Sequence, residues 1–168
     1  TSKSKSIDVF ISVIKSLKSQ KKNYDYVILL EPTSPFTETK DIDLALEKLI
    51  NTKNNSLVSI AENITGHPNF NFILKKNQVI KPYNSKKYKF FRRQDLSKVF
   101  YLDGSLYISK INHLLSSKNF CNSKTIGFIM PKYKSFEVDD YLDLMVLKTI
   151  YKNIKKIKNI WEIKVKNY

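Results

Sequence analysis

From Tyr24 to Phe36 the chain runs Tyr-Asp-Tyr-Val-Ile-Leu-Leu-Glu-Pro-Thr-Ser-Pro-Phe, and few folds accommodate such a stretch. Four consecutive apolar residues, Val27 to Leu30, suit a strand buried on both faces, as strands of parallel sheets are. Pro32 and Pro35 then fix φ and withhold two backbone donors, so the strand must stop and a stiff loop must begin. Open α/β sheets bind ligands at the carboxyl ends of such strands, which makes Glu31, Thr33 and Ser34 candidate binding residues. The competing reading is a rigid turn without chemistry.

The flanking periodicities agree with an α/β fold. Ile7, Phe10, Ile11, Ile14 and Leu17 share one face of a helix spanning about residues 6 to 19. Ile42, Ala45, Leu46, Leu49 and Ile50 repeat the pattern after Thr39, with Asp41 and Asp43 at the helix start, where the macrodipole favours them. Ser56 to Ile60 reads as the next strand, so helix and strand alternate at short spacing, the mark of a parallel-sheet α/β domain. After Pro68 the rhythm changes. Phe70, Phe72 and Leu74 alternate, Lys75 to Gln78 turn, and Val79-Ile80 return, which predicts a small hairpin. A strand over 105 to 109 follows Asp103-Gly104, and a short helix runs from Lys110 to about Ser116. Another strand covers 125 to 130. From Ser135 to Asp140 the chain opens a helix whose Leu144, Leu147, Ile150 and Tyr151 are expected to face the core. The lysine-rich tail from Asn153 keeps Ile154, Ile157 and Trp161 near helical spacing, and its pattern leaves helix and strand both open. With 168 residues and no repeat or Gly/Ser linker, residues 1 to 168 are read as one domain.

Composition narrows the function classes. A net charge of +15 invites a nucleic-acid reading. Yet only Arg92 and Arg93, of 30 basic residues, are arginine, whereas nucleic-acid readers concentrate arginine for bidentate contacts. The Lys, Asn and Ile bias looks like that of an AT-rich genome, and no nucleic acid is expected as partner. No apolar run approaches the ~18 residues of a membrane span, and Thr1 to Lys5 lack the apolar core of a signal peptide. A cytoplasmic protein with no membrane contact is therefore expected. A single cysteine, Cys121, excludes an internal disulfide and a cysteine-rich zinc site.

Three constellations near strand ends offer chemistry. Glu31, Thr33 and Ser34 place a carboxylate and two hydroxyls on the stiff loop. Arg92-Arg93-Gln94-Asp95, with Asp103-Gly104, supply a fork for an anion beside amide donors; a solvated basic turn is the alternative. Glu137 and Asp139, at i and i+2 of an extended segment, project two carboxylates the same way. Such a pair suits Mg²⁺, which takes a few carboxylates plus substrate phosphates; a helix N-cap rich in acids is the alternative. His67 and His113 lack partners at ligand spacing and read as structural.

Taken together, these blocks resemble the acylneuraminate cytidylyltransferases, the synthetases of CMP-sialic acid and of related CMP-activated legionaminic and pseudaminic acids. The family's L-L-Q-P-T-S-P-L-R corresponds to Leu29 through Thr37, and its D-I-x-x-A to Asp41 through Ala45. R-R-Q-D-L-P followed by N-G-x-x-Y-I is similar to Arg92 through Ser97 and then Asp103 through Ile108. M-P-x-x-x-S-x-D-I-D-x-x-x-D-L is similar to Met130 through Leu144.

The resemblance implies a nucleotide-diphospho-sugar transferase fold, a Rossmann-like, glycosyltransferase-A-like three-layer α/β sandwich. It also implies attack of a sugar-acid hydroxyl on the α-phosphate of CTP, with Mg²⁺ as cofactor. Glu137 and Asp139 then stand at the metal-binding, catalytic positions. Glu31, Thr33, Ser34, Arg92, Arg93, Gln94 and Asp103 fall at substrate-binding ones, and the partners are CTP, a nonulosonic acid and a second subunit. Residues 67 to 103 are the expected dimerisation and sugar-binding excursion, with Tyr83, Tyr88, Phe90 and Phe91 as interface aromatics or, alternatively, core residues. Glu31 replaces the family's Gln, Thr37 its Arg, Glu137 an Asp and Asp103 an Asn. The family's opening strand and Gly-Ser-Lys-type phosphate loop find no counterpart, since none of Gly66, Gly104 and Gly127 lies in such a loop. By resemblance the chain is thus the carboxyl-terminal two-thirds of such an enzyme, incomplete at the N-terminus and expected to be inactive alone. A cytidylyltransferase for another sugar acid, or a non-catalytic remnant or sugar-nucleotide-binding module, are the alternatives.

Overall fold

Among the described residues, Tyr26–Leu30 (β1) pairs on one side only. The structure, a computed structural model, describes residues 6–84 and 92–166, and in it four strands form a sheet in the order β1-β5-β2-β6. The other three are Ser56–Glu62 (β2), Phe100–Lys110 (β5) and Ile126–Ile129 (β6). β5 runs antiparallel to both β1 and β2, while β2 and β6 are parallel. The sheet is therefore mixed, which corrects the expectation of a parallel one. Apolar alternation identifies a strand, but both directions satisfy it equally. Burial of β1 on both faces is corrected too. With a single neighbour the strand is half-buried, and Leu30 at its end is 46% exposed.

Three of the four apolar residues of β1 still serve both faces of the sheet. Ile28 packs with Ala45, Leu49, Leu57, Leu106 and Ile108 beneath the helix Thr39–Asn51 (α2). Val27 and Leu29 pack on the opposite face, with Ile14 of the helix Ser6–Ser19 (α1) and Ile111 and Leu114 of the helix Ile111–Ser117 (α3). Helices thus cover both faces, as the periodicities require. Between β2 and β5, Phe72–Leu74 (β3) and Ile80–Pro82 (β4) form the expected hairpin as a separate two-stranded antiparallel sheet.

After β6 come the helices Tyr141–Lys152 (α4) and Ile154–Lys166 (α5), so the lysine-rich tail is helical. Leu147 and Ile150 are buried, but Tyr151, expected in the core, is 71% exposed; it lies one position past the buried stripe. Trp161 of α5 meets Tyr133 edge-on at 6.3 Å. Lys134, 5% exposed at its side chain, joins Asp41 at 2.6 Å and Glu38 at 2.7 Å, and Lys158 of α5 also reaches Glu38. Burial works to lower the Lys134 ammonium, but its bonds to Asp41 and Glu38 outweigh this and raise it. The same bonds from Lys134 and Lys158 hold the Glu38 carboxyl down at about 2. This network fastens α2, α5 and the turn after β6 to one another.

Candidate functional site

Because β1, β2 and β6 run the same way and β5 opposes them, one end of the sheet gathers their carboxyl ends and the start of β5. All three constellations from the sequence leave the sheet at this end. The Pro-Thr-Ser-Pro loop follows β1, the segment holding Glu137 and Asp139 follows β6, and Arg92 to Asp95 precede β5.

The first and third constellations meet directly. The Val138 N–H donates to the Thr33 carbonyl at 3.0 Å, seating the Glu137–Asp139 segment on the proline loop. Within that loop Ser34 N–H donates to the Glu31 carbonyl at 3.1 Å, and the Ser34 hydroxyl is buried with no partner among the described residues. The helix-cap alternative for the acidic run falls on other residues. Asp140 caps α4, accepting from the N–H groups of Leu142 and Asp143 at 2.7 and 3.0 Å. Asp143 answers, accepting from those of Asp139 and Asp140. The carboxylates of Glu137 and Asp139 are left out of that capping box.

Asp103 and Gly104 join this carboxylate group. The sequence placed them just ahead of a strand; they lie inside β5, at an irregularity where register shifts between Val58 and Ile60 of β2. Gly104 takes φ +73, and the Glu137 carboxylate occupies the space a Cβ would fill there. This is the left-handed geometry of a bulge glycine. Ser59, which no motif singled out, bridges the gap in the ladder. Its hydroxyl donates to Asp103 Oδ1 and accepts from the Leu106 N–H at 2.9 Å. Asp103 Oδ1 also accepts from the Ser105 N–H at 3.2 Å. Asp103 is only 1% exposed, and its Oδ2 has no partner among the described residues.

Burial pushes the Asp103 carboxyl up, against the bonds from Ser59 and Ser105. Glu137 is raised by burial and then by the charges of Asp139, Asp103 and Glu31. Tyr107 is raised by burial and by Glu137, Glu31 and Asp103. Three carboxylates from three elements therefore act on Glu137 at the same end of the sheet, a repulsion a divalent cation would relieve. Among the described residues no three His, Cys, Asp or Glu side chains close into a metal cage. A pair of hard oxygen donors beside an unanswered buried oxygen fits Mg²⁺ nonetheless, since that ion keeps waters or phosphates in most of its positions.

Among the described residues no hydrogen bond or ion pair links Arg92, Arg93 or Gln94 to Asp103. They sit on an exposed 3₁₀ turn, Arg93–Asp95 with Arg92 as its cap. The Arg93 guanidinium lies 5.9 Å from the centroid of the Phe70 ring. Arg93, Gln94, Phe70, His67 and Lys98 are among the residues lining a cleft of about 260 Å³. A cavity of about 560 Å³ lies at the other end of the sheet around Tyr26, Lys110 and His113, and none of the sequence-derived candidates lines it.

A mixed α/β sheet flanked by helices, with carboxylates and an arginine-lined cleft at its carboxyl end, is compatible with a nucleotidyltransferase-like fold. Curated relatives point the same way. The chain is 29% identical over 142 residues to the post-translational flagellin modification protein B of Campylobacter coli, covering 84% of this chain and 59% of that protein. It is 30% identical over 128 residues to the N-acylneuraminate cytidylyltransferase of Streptococcus agalactiae serotype III, with 76% of this chain and 30% of the relative covered. A pseudaminic acid cytidylyltransferase of Campylobacter jejuni is 28% identical over 142 residues, with coverage of 84% and 60%. No family model matches the chain. The resemblance to the acylneuraminate cytidylyltransferases holds over most of this chain, while the chain spans three fifths or less of these relatives' own lengths. Among the described residues no helix is long and apolar enough to cross a membrane.

Proposed function

We propose that the chain forms the sugar-acid and metal-facing part of a CMP-nonulosonic acid synthetase. The observation that carries this reading is the Val138–Thr33 hydrogen bond, which sets Glu137 and Asp139 against the Glu31 loop beside Asp103. In the proposed reaction a sugar-acid hydroxyl attacks the α-phosphorus of CTP. The new P–O bond forms as the bond to the β-phosphate oxygen breaks, pyrophosphate leaves, and the hydroxyl proton passes to solvent or a nearby base. Both substrates are anions, so charge neutralisation is the main demand on the protein. Glu137 and Asp139 would hold Mg²⁺, which supplies electrostatic stabilisation of the phosphates when bound. Ser34 and Thr33 offer hydroxyls on a loop that two prolines keep stiff. Arg93 and Gln94 present donors to the sugar acid in the neighbouring cleft.

The remaining parts of the fold follow from the same reading. β1 exposes an unpaired edge among the described residues, where a further strand of a larger three-layer sheet would add. The β3–β4 hairpin presents Ile73, Leu74, Val79, Ile80 and Tyr83 to solvent. A two-stranded sheet cannot bury such residues itself, and a second copy of the chain would cover them. Tyr88, Phe90 and Phe91, expected to share that interface, lie outside the described residues.

The test is pyrophosphate release from CTP in the presence of Mg²⁺ and sialic, legionaminic or pseudaminic acid, in a protein joining this chain to the additional segments its relatives possess. Turnover that requires both the acid and the metal, and falls at least ~100-fold in Asp139→Ala, is expected. Absence of turnover with all three acids overturns the proposal.

A further inference from the structure

His67 reads as a structural residue in the sequence, and the structure gives half of its ring a structural task. Its Nδ1 accepts from the backbone N–H of Asn69 at 3.1 Å, capping the 3₁₀ turn Pro68–Phe70. An accepting Nδ1 leaves the ring proton on Nε2. That Nε2 is buried and has no partner among the described residues. Buried N–H groups are almost always answered, so this donor is one the fold leaves for something else.

Its surroundings say what that is. His67 and Phe70 meet edge-on at 6.1 Å, and Arg93 lies over the same Phe70 ring at 5.9 Å. All three line the 260 Å³ cleft. Two of the acceptor-bearing side chains there have partners. Asn63 Oδ1 accepts from the Gly66 N–H at 2.7 Å and its Nδ2 donates to the Gly66 carbonyl at 2.9 Å, while Glu62 faces Lys98 at 4.0 Å. Arg93 has no carboxylate partner among the described residues. The cleft therefore offers a guanidinium fork and an imidazole N–H, the complement of a carboxylate.

We propose that His67 donates its Nε2–H to the carboxylate of the sugar acid held by Arg93, making it a specificity-determining residue of that subsite. This rests on the sugar-acid reading of the cleft given above. The ring does two jobs with two nitrogens, and substitution can separate them. Asparagine places an acceptor where Nδ1 stands and nothing at Nε2; glutamine places an amide donor near Nε2 and forfeits the cap.

Calorimetric titration of N-acetylneuraminic acid and pseudaminic acid into the chain tests the assignment, with His67→Asn, His67→Gln and Arg93→Ala compared. Loss of one charge-assisted bond raises Kd about tenfold or more. That rise is expected in His67→Asn, whose melting curve should stay unchanged. His67→Gln is expected to bind within about threefold of the parent and to melt earlier. Equal affinity of His67→Asn and parent, with Arg93→Ala weakened, overturns the role of His67 and leaves the sugar site standing. Equal weakening in both His67 variants assigns the residue to the turn alone and also overturns it. If the parent binds neither acid, the sugar-acid reading of the cleft fails and this inference with it.

Discussion

At the scale of single residues, Asp103 shows what the carboxylate cluster costs. It sits 1% exposed with one oxygen bonded and the other unanswered among the described residues, and burial raises its carboxyl above the ordinary 3.8. A raised folded value means that the native state keeps a proton the unfolded chain releases near 3.8. Stability from this group is therefore whole below that pH and is lost as pH climbs through the folded value. Asp103→Asn removes the charge while keeping an acceptor for Ser59 and Ser105. It is expected to stabilise the fold at pH 7 by about 1 kcal/mol, and the advantage should shrink towards pH 3. Thermal melts of the two proteins at both pH values check this; an Asn variant less stable at pH 7 would contradict it. Ser59, the other half of this arrangement, was illegible in the sequence because a serine inside an apolar strand has no signature until the bulge opposite it is known.

Among the elements, local periodicity made most helices and strands readable, and what joins them was not. Repeats of 3.6 and 2 are properties of neighbours in sequence, so α1, α2, the β3–β4 hairpin and β6 could be read directly. Lys134 is one cation among 30 basic residues, and its partners Asp41 and Glu38 lie 93 and 96 positions away. No local pattern announces such a pairing. Lys134→Met leaves Asp41, 11% exposed at its side chain, without its counter-ion, and is expected to cost about 3 kcal/mol in urea denaturation. The pH profile should change as well. Glu38, held at about 2 against an ordinary 4.5, contributes stability that is present above 4.5 and fades as pH falls towards 2. With Lys134 gone, the acid limb of the stability curve between those values should flatten; an unchanged limb would show that Lys158 alone sets the Glu38 carboxyl.

For the whole molecule, the sequence placed the candidate residues at strand ends, and topology decided which of them meet. The antiparallel course of β5 brings Asp103 to the carboxylates from β1 and β6 and leaves Arg93 with Phe70, a division that motif order could not reveal because Arg93 and Asp103 are near neighbours in sequence. The same topology leaves the β3–β4 hairpin outside the main sheet. Two of its apolar residues stand in solvent: Ile73 is 48% and Leu74 61% exposed. If a second copy covers them, as proposed, the parent chain should sediment as a dimer at micromolar concentration. Ile73→Lys with Leu74→Glu should yield monomers, since charges at the centre of an interface are strongly disfavoured. Far-UV circular dichroism should barely change, because among the described residues the hairpin shares no hydrogen-bond ladder with the four-stranded sheet. A parent chain that sediments as a monomer, or a dimer that survives both substitutions, would assign the exposed hairpin to some other partner and remove the second subunit from the proposed site.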